Sequence, residues 1–260
     1  MIDRADSTLA GAIHPSPNFG PRRSAATPNI LLLHYTGVAS AAGAITWLAT
    51  PKSEVSCHYV VDEDGLITQM VAEQMRAWHA GIGEWAGESD INSVSIGIEI
   101  HNQGHDAGYP DFPELQLLAV EKLCRDIIDR HAIEARNVLA HSDVAPARKR
   151  DPGEKFPWKT LADSGIGLWV KPTPIDPTGP IFTLGETNPI IEEAQTLLAK
   201  YGYDVTASGY LDSVTRDVVA AFQRHFRPQR VDGFIDVSTV STLKDLLAAR
   251  DARISASKLG

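Results

Sequence analysis

Residues 29–34 read Asn-Ile-Leu-Leu-Leu-His. A short aliphatic run closed by a polar residue predicts a buried strand, and the fold follows from whether its surroundings alternate with it. They do. Ala41 to Leu48 has helical character and stops before Pro51. His58–Val61 and Leu66–Gln69 flank Asp62-Glu-Asp-Gly65, where Asp64-Gly65 is a strong hairpin signal. Ser95-Ile-Gly-Ile-Glu-Ile100 alternates strictly, with Ile96, Ile98 and Ile100 on one face and Gly97 and Glu99 on the other. Pro113 to Arg130 spaces Leu117, Val120, Cys124, Ile127 and Ile128 along one helical stripe. Asn137–Ala140 is a further strand. These segments predict an α/β domain with a mixed central β-sheet flanked by helices, over residues 1–170.

Four prolines fall within Lys171–Pro180, which predicts an extended, semi-rigid linker over 171–180. Beyond it the spacing is helical. Ile190, Ile191, Ala194, Leu197, Leu198 and Tyr201 share one face, and Gly202 suits the stop. Val218, Val219, Phe222 and Phe226 mark a second helix; Val240, Leu243, Leu246 and Leu247 mark a third. Each of these two follows a related heptad, Gly209-Tyr-Leu-Asp-Ser-Val-Thr215 and Gly233-Phe-Ile-Asp-Val-Ser-Thr239, with Asp212 and Asp236 as N-caps. Residues 181–260 are therefore expected to form a small three-helix domain.

The 260-residue chain is 43% hydrophobic and 22% charged, enough apolar material for a real core. A net charge of -9 argues against nucleic acid as a partner. No segment approaches the ~18 apolar residues of a membrane span. Cys57 and Cys124 form no CxxC pair and are too few for a disulfide scaffold. There is no phosphate loop, nucleotide fingerprint or GxSxG elbow.

The chemistry concentrates at strand ends. His34 closes one strand and His141 another, and Asp151 follows ten residues later. If these ends are neighbours, two imidazoles and a carboxylate form the donor set of a catalytic zinc, which keeps one position for water. Taken singly, each residue has a plainer reading: a hydrogen-bonded histidine, and an Asp-Pro-Gly turn. Glu99 lies on the polar face of its strand and is a candidate general base, or a solvent-facing residue. Lys149 precedes Asp151 by two and could stabilise an oxyanion, although Arg148-Lys149-Arg150 also reads as a solvated loop. His58 suits a packed position, and Trp78-His79-Ala80-Gly81 suits a cleft wall. His14, His105, His131 and His225 carry no usable signal.

Leu33-His34-Tyr35-Thr36, Ser56-Cys57-His58-Tyr59, Arg76 to Gly81, Ser95 to Glu99, and His141-Ser-Asp143 with Lys149-Arg-Asp151-Pro-Gly153 occur in that order. Together, over roughly residues 15–160, they resemble the zinc-dependent N-acetylmuramoyl-L-alanine amidases of the amidase-2 type, related in fold to peptidoglycan recognition proteins. Ala194-Gln195, Tyr201-Gly202-Tyr203, Gly209 and Thr215 to Gln223 resemble the small helical peptidoglycan-binding module, and the layout resembles the AmiD-like amidases. The resemblance implies His34, His141 and Asp151 as Zn2+ ligands, Glu99 as the residue that activates water, and Lys149 as the transition-state lysine. It implies hydrolysis of the amide joining N-acetylmuramic acid to L-alanine in peptidoglycan or muropeptides. Some phage members carry a tyrosine where Cys57 stands, which leaves Glu99 as the base here. The rival readings are a metal-free peptidoglycan receptor and a zinc enzyme acting on another amide. The helical domain is expected to bind the wall, or else to act as a structural lid. The N-terminus shows no export signal or lipidation cysteine, and the free cysteines would suit the cytoplasm. A wall-binding module favours the cell envelope (periplasm). Oligomeric state is unknown from the sequence.

Overall fold

The computed structural model describes residues 2–257. Met1 and residues 258–260, the outer ends of the two expected domains, lie outside the described residues. The chain separates into two compact units, residues 1–83 with 90–141, and residues 84–89 with 142–260.

In the first unit the strands are β1 (Ala12–Ile13), β2 (Phe19–Pro21), β3 (Ile30–Tyr35), β4 (Tyr59–Val61), β5 (Ile67–Gln69), β6 (Met75–Ala77), β7 (Ser95–Ile100) and β8 (Val138–Ala140). Its helices are α1 (Ala41–Leu48), α2 (Ile91–Val94) and α3 (Glu114–His131). Six strands form one mixed sheet in the order β1-β5-β4-β7-β3-β8. β3 sits between β7 and β8 and is parallel to both, so Leu31, Leu32 and Leu33 are fully buried. This is why the opening run lacks alternation: a strand covered on both faces has no polar side. β7 keeps its predicted faces, yet nearly all of it is buried. The β4–β5 hairpin turns where expected, with Gly65 at φ 85°. On α3 the buried stripe is Gln116, Val120, Leu123, Cys124 and Ile127, while Leu117 and Ile128 lie at its rim. Gln116 occupies a core position because its side-chain amide donates to the carbonyls of Val61 and His101 (3.1 and 2.8 Å).

The helix α4 (His141–Val144) follows β8 directly. The second unit then contains α5 (Trp158–Asp163), the short antiparallel pair β9 (Ile181–Phe182) and β10 (Ile235–Asp236), and the helices α6 (Pro189–Tyr201), α7 (Ser213–Phe226) and α8 (Val237–Ser257). The proline-rich stretch lies within this unit. Thr173 donates its N–H to Thr242 Oγ1 and accepts from Ser238 Oγ, both on α8 (3.1 and 2.6 Å).

The repeated heptads have one physical explanation. The side-chain carbonyl of Gln195 accepts from the N–H groups of Ser208 and Gly209, and its amide donates to Tyr210 O and Thr215 Oγ1. Gln223 does the same for Asp232, Gly233 and Phe234. Asp212 and Asp236 then accept from the N–H groups of Thr215 and Thr239 (2.7 Å each), closing the N-termini of α7 and α8 as expected. Gly209 and Gly233 both sit at φ 72°, so each turn needs its glycine.

Candidate active site

β3 delivers His34 to a buried position at its C-terminal end, and His34 stands in register with Glu99 of β7. Registered residues point to the same face, so the two side chains are neighbours. Leu33 pairs with Ala140 of β8, and His141 is the next residue along. The outcome is direct: His34 Nδ1 and His141 Nδ1 are 2.8 Å apart.

Their hydrogen-bond partners settle which nitrogens carry protons. His141 Nε2 faces the carbonyl oxygen of Ala80 at 3.0 Å. A carbonyl only accepts, so Nε2 is the donor and Nδ1 holds a lone pair. His34 is fixed through a longer chain. Ser95 Oγ donates to Ile91 O (2.6 Å) and so accepts from His79 Nε2 (3.3 Å). That leaves His79 Nδ1 to accept from His34 Nε2 at 3.0 Å. His34 Nδ1 is then also a lone pair. With both rings neutral, two imidazoles thus aim lone pairs at one point, an arrangement that repels itself unless a metal ion or a proton lies between them. His79 is kept neutral: burial first, and then the surrounding imidazoles, hold it well below the usual histidine range.

Among the described residues, His34, His141 and Asp151 form a buried group whose ligand atoms all lie within 4.8 Å of one another. Two nitrogens and one carboxylate oxygen are the donor set that a catalytic zinc takes from protein. The outer hydrogen bonds that His34 and His141 donate to His79 Nδ1 and the Ala80 carbonyl are the kind that orient metal-binding histidines.

The remaining expected residues are placed as follows. Glu99 is partly buried on the His34 face. Lys149 is half-buried beyond the turn at 146–148, with its N–H on Ala145 O (3.0 Å), while Arg148 and Arg150 are exposed. Cys57 is fully buried. Its thiol is pushed up by burial and by the charge of Glu99, so it stays protonated and is no base. His58 is a packed residue: it accepts from Gly97 N–H on Nδ1 (2.9 Å) and donates from Nε2 to Met75 O (3.1 Å).

His79 has a larger part than the sequence suggested. Its backbone and that of Ala80 donate to Asn92 Oδ1 (2.9 Å each), which fixes the loop. Its ring lies against Gly97, where an added Cβ would come within 2.5 Å of it. The Ser-Ile-Gly-Ile-Glu pattern held this signal, since a glycine two residues before Glu99 leaves room for a ring on the same face.

Residues 24–154 match the family model for N-acetylmuramoyl-L-alanine amidase, and residues 187–243 match a peptidoglycan binding domain. N-acetylmuramoyl-L-alanine amidase AmiD of Escherichia coli (strain K12) is 39% identical over 238 residues, 84% of this chain and 82% of that protein. The 1,6-anhydro-N-acetylmuramyl-L-alanine amidase AmpD of the same organism is 34% identical over 162 residues, 55% of this chain and 86% of that protein. The solved complex of E. coli AmiD with anhydro-N-acetylmuramic acid-L-Ala-D-gamma-Glu-L-Lys superimposes with a TM-score of 0.71 at 36% identity, covering 86% of this chain and 91% of that one. AmpDh3 of Pseudomonas aeruginosa gives 0.71 at 30% identity, covering 95% and 98%.

Proposed function

The chain belongs to the N-acetylmuramoyl-L-alanine amidase family, and on that premise we propose that His34, His141 and Asp151 hold a zinc ion and that Glu99 and Lys149 work beside it. The reaction is hydrolysis of the amide between N-acetylmuramic acid and the L-alanine of the stem peptide, in peptidoglycan or muropeptides. The observation that carries the metal reading is the pair of imidazole lone pairs 2.8 Å apart, with the Asp151 carboxylate in the same buried group.

When bound, zinc supplies Lewis acidity toward the scissile carbonyl and an acidified water. Glu99, on the His34 face, takes a proton from the attacking water. It then gives that proton to the departing alanine nitrogen as the C–N bond breaks and the new C–O bond forms. The Lys149 ammonium stabilises the negative charge that collects on the carbonyl oxygen. His79, Ser95 and the Ala80 carbonyl keep both imidazoles in the tautomer that offers Nδ1.

The helical region is read as a wall-binding module that raises local substrate concentration, supported by its match to the peptidoglycan binding domain. A module of that kind favours the cell envelope as the working compartment. Among the described residues no helix is long and apolar enough to cross a membrane.

Metal analysis of chelator-free protein, combined with product analysis on a muramyl tripeptide, tests the reading. One zinc per chain is expected, with release of an intact peptide that begins with free L-alanine. Metal-free protein that stays inert after zinc is supplied would refute it. Cleavage inside the peptide would redirect it to a different amide. Deleting residues 181–260 is expected to weaken binding to whole sacculi.

A further inference from the structure

Between two of the proposed metal ligands lies a buried carboxylate that the reaction does not use. Asp143, two residues after His141, is only 1% exposed. Burying an ionised carboxylate is costly unless both oxygens find donors, and here both do. Tyr203 donates its hydroxyl to Oδ1 at 2.6 Å, and His225 donates from Nδ1 to Oδ2 at 2.7 Å. Tyr203 and His225 are themselves buried, each 3% exposed. Neither ring is free to turn away. His225 stacks on Trp158 (centroids 3.8 Å, planes 25° apart) and Phe226, and Tyr203 meets Trp85 edge-on at 5.0 Å. The segment they grip is closed on itself, since Ser142 donates its N–H to Asp151 O at 3.1 Å.

Tyr203 and His225 both fall within the residues that match the peptidoglycan-binding module. Capturing wall polymer requires exposed groups, not a buried hydrogen bond to the segment that carries two metal ligands. We propose that Tyr203 and His225 are positioning residues for zinc hydrolysis: through Asp143 they hold the His141–Asp151 segment in its metal-binding shape. The helical module is then part of the catalytic apparatus as well as a wall anchor. This rests on the zinc reading above.

The test uses full-length protein: wild type, Tyr203→Phe, His225→Leu, His225→Asn and Gln195→Leu. Zinc affinity is read by chelator competition, kcat and KM on a soluble muropeptide, and stability by Tm. Tyr203→Phe, which removes one oxygen atom, and His225→Leu are each expected to weaken zinc binding by about tenfold and lower kcat similarly, with KM within about twofold. His225→Asn, whose side-chain N–H replaces the Nδ1 donor, restores most of the loss. Gln195→Leu lowers Tm and leaves zinc affinity at the wild-type value. Folded Tyr203→Phe and His225→Leu proteins with wild-type zinc affinity and kcat would overturn the proposal. So would an equal loss of zinc affinity in Gln195→Leu, which would reduce the effect to general stability. Wild-type protein that binds no zinc would instead remove the metal reading itself, and the proposal with it.

Discussion

The imidazole cluster around His34 and the glutamine-closed turns of the helical region bury polar side chains for opposite ends. In the first, His34, His79, His141 and Ser95 form hydrogen-bond chains that finish on lone pairs aimed at one another. In the second, Gln195 and Gln223 are neutral, and each closes a turn onto backbone groups with little left over. One pattern stores electrostatic tension that a cation relieves; the other removes tension from a turn. Substitutions in the first should therefore change chemistry more than stability, and those in the second the reverse.

The largest expected effect tests the first half of that contrast. Glu99→Gln and Lys149→Ala should each lower turnover by about 10²–10³ while zinc content and Tm stay near wild type. Near-normal turnover in Glu99→Gln would exclude it as the base. A large loss of Tm would mean that these side chains serve the fold and that the contrast is drawn in the wrong place.

The same contrast explains what the sequence made legible. The helical repeat could be read because its glycine, aspartate and threonine recur at fixed spacing, and local turn chemistry demands each of them. β7 and α3 are readable because burial imposes a period, and β3 because a strand covered on both faces is apolar throughout; short strands such as β1, β2 and β6 leave no such pattern. The proposed ligand set is readable only as strand-end histidines plus an aspartate, and the meeting of the two histidines depends on β3 lying beside β8, a long-range pairing that no local pattern encodes. The chain from Ile91 through Ser95 and His79 to His34 is not readable at all, because its members come from three separate segments. His225 gives no local signal for a related reason. Its helical spacing gives it a core position, and only the folded chain shows that the core contains Asp143.

Acid should affect the first unit over windows set by two buried groups. Burial, and then the Arg22 charge, push His58 down to about 3, against an ordinary 6.5. The unfolded chain therefore binds the extra proton first, and stability is lost as pH falls from about 6.5 to about 3. Burial alone would raise the Glu73 carboxyl, but Arg130, His131 and Tyr59 override it and hold it at about 2. Its contribution is complete above about 4.5 and lost as pH falls toward 2. In zinc-free protein each proton costs about 1.4 kcal/mol per pH unit within its window. Between pH 6.5 and 4.5 the loss should come from His58, with His79 adding in the same direction. His58→Gln should make the stability profile clearly shallower there. An unchanged slope would show that His58 is not the group that titrates.

A smaller effect probes the hydrogen-bond chain itself. Ser95→Ala removes the acceptor for His79 Nε2 and leaves the sheet intact. Zinc affinity should fall about tenfold, the usual cost of losing an outer hydrogen-bond partner, with kcat following it. Gly97→Ala should cost more, because its Cβ would displace the His79 ring. If Ser95→Ala binds zinc as tightly as wild type, the tautomer of His34 is set some other way.

The smallest chemical effect belongs to the glutamines. Gln195→Leu and Gln223→Leu each strand several buried backbone groups, at about 1–3 kcal/mol per unsatisfied group, which shows as a Tm lower by several degrees. Because the two residues perform the same closure on related turns, their losses should be similar. Below Tm, both variants should hydrolyse soluble muropeptide at the wild-type rate with wild-type zinc affinity. A fall in kcat without a fall in Tm, in either variant, would erase the distinction between polar groups that close turns and polar groups that aim lone pairs.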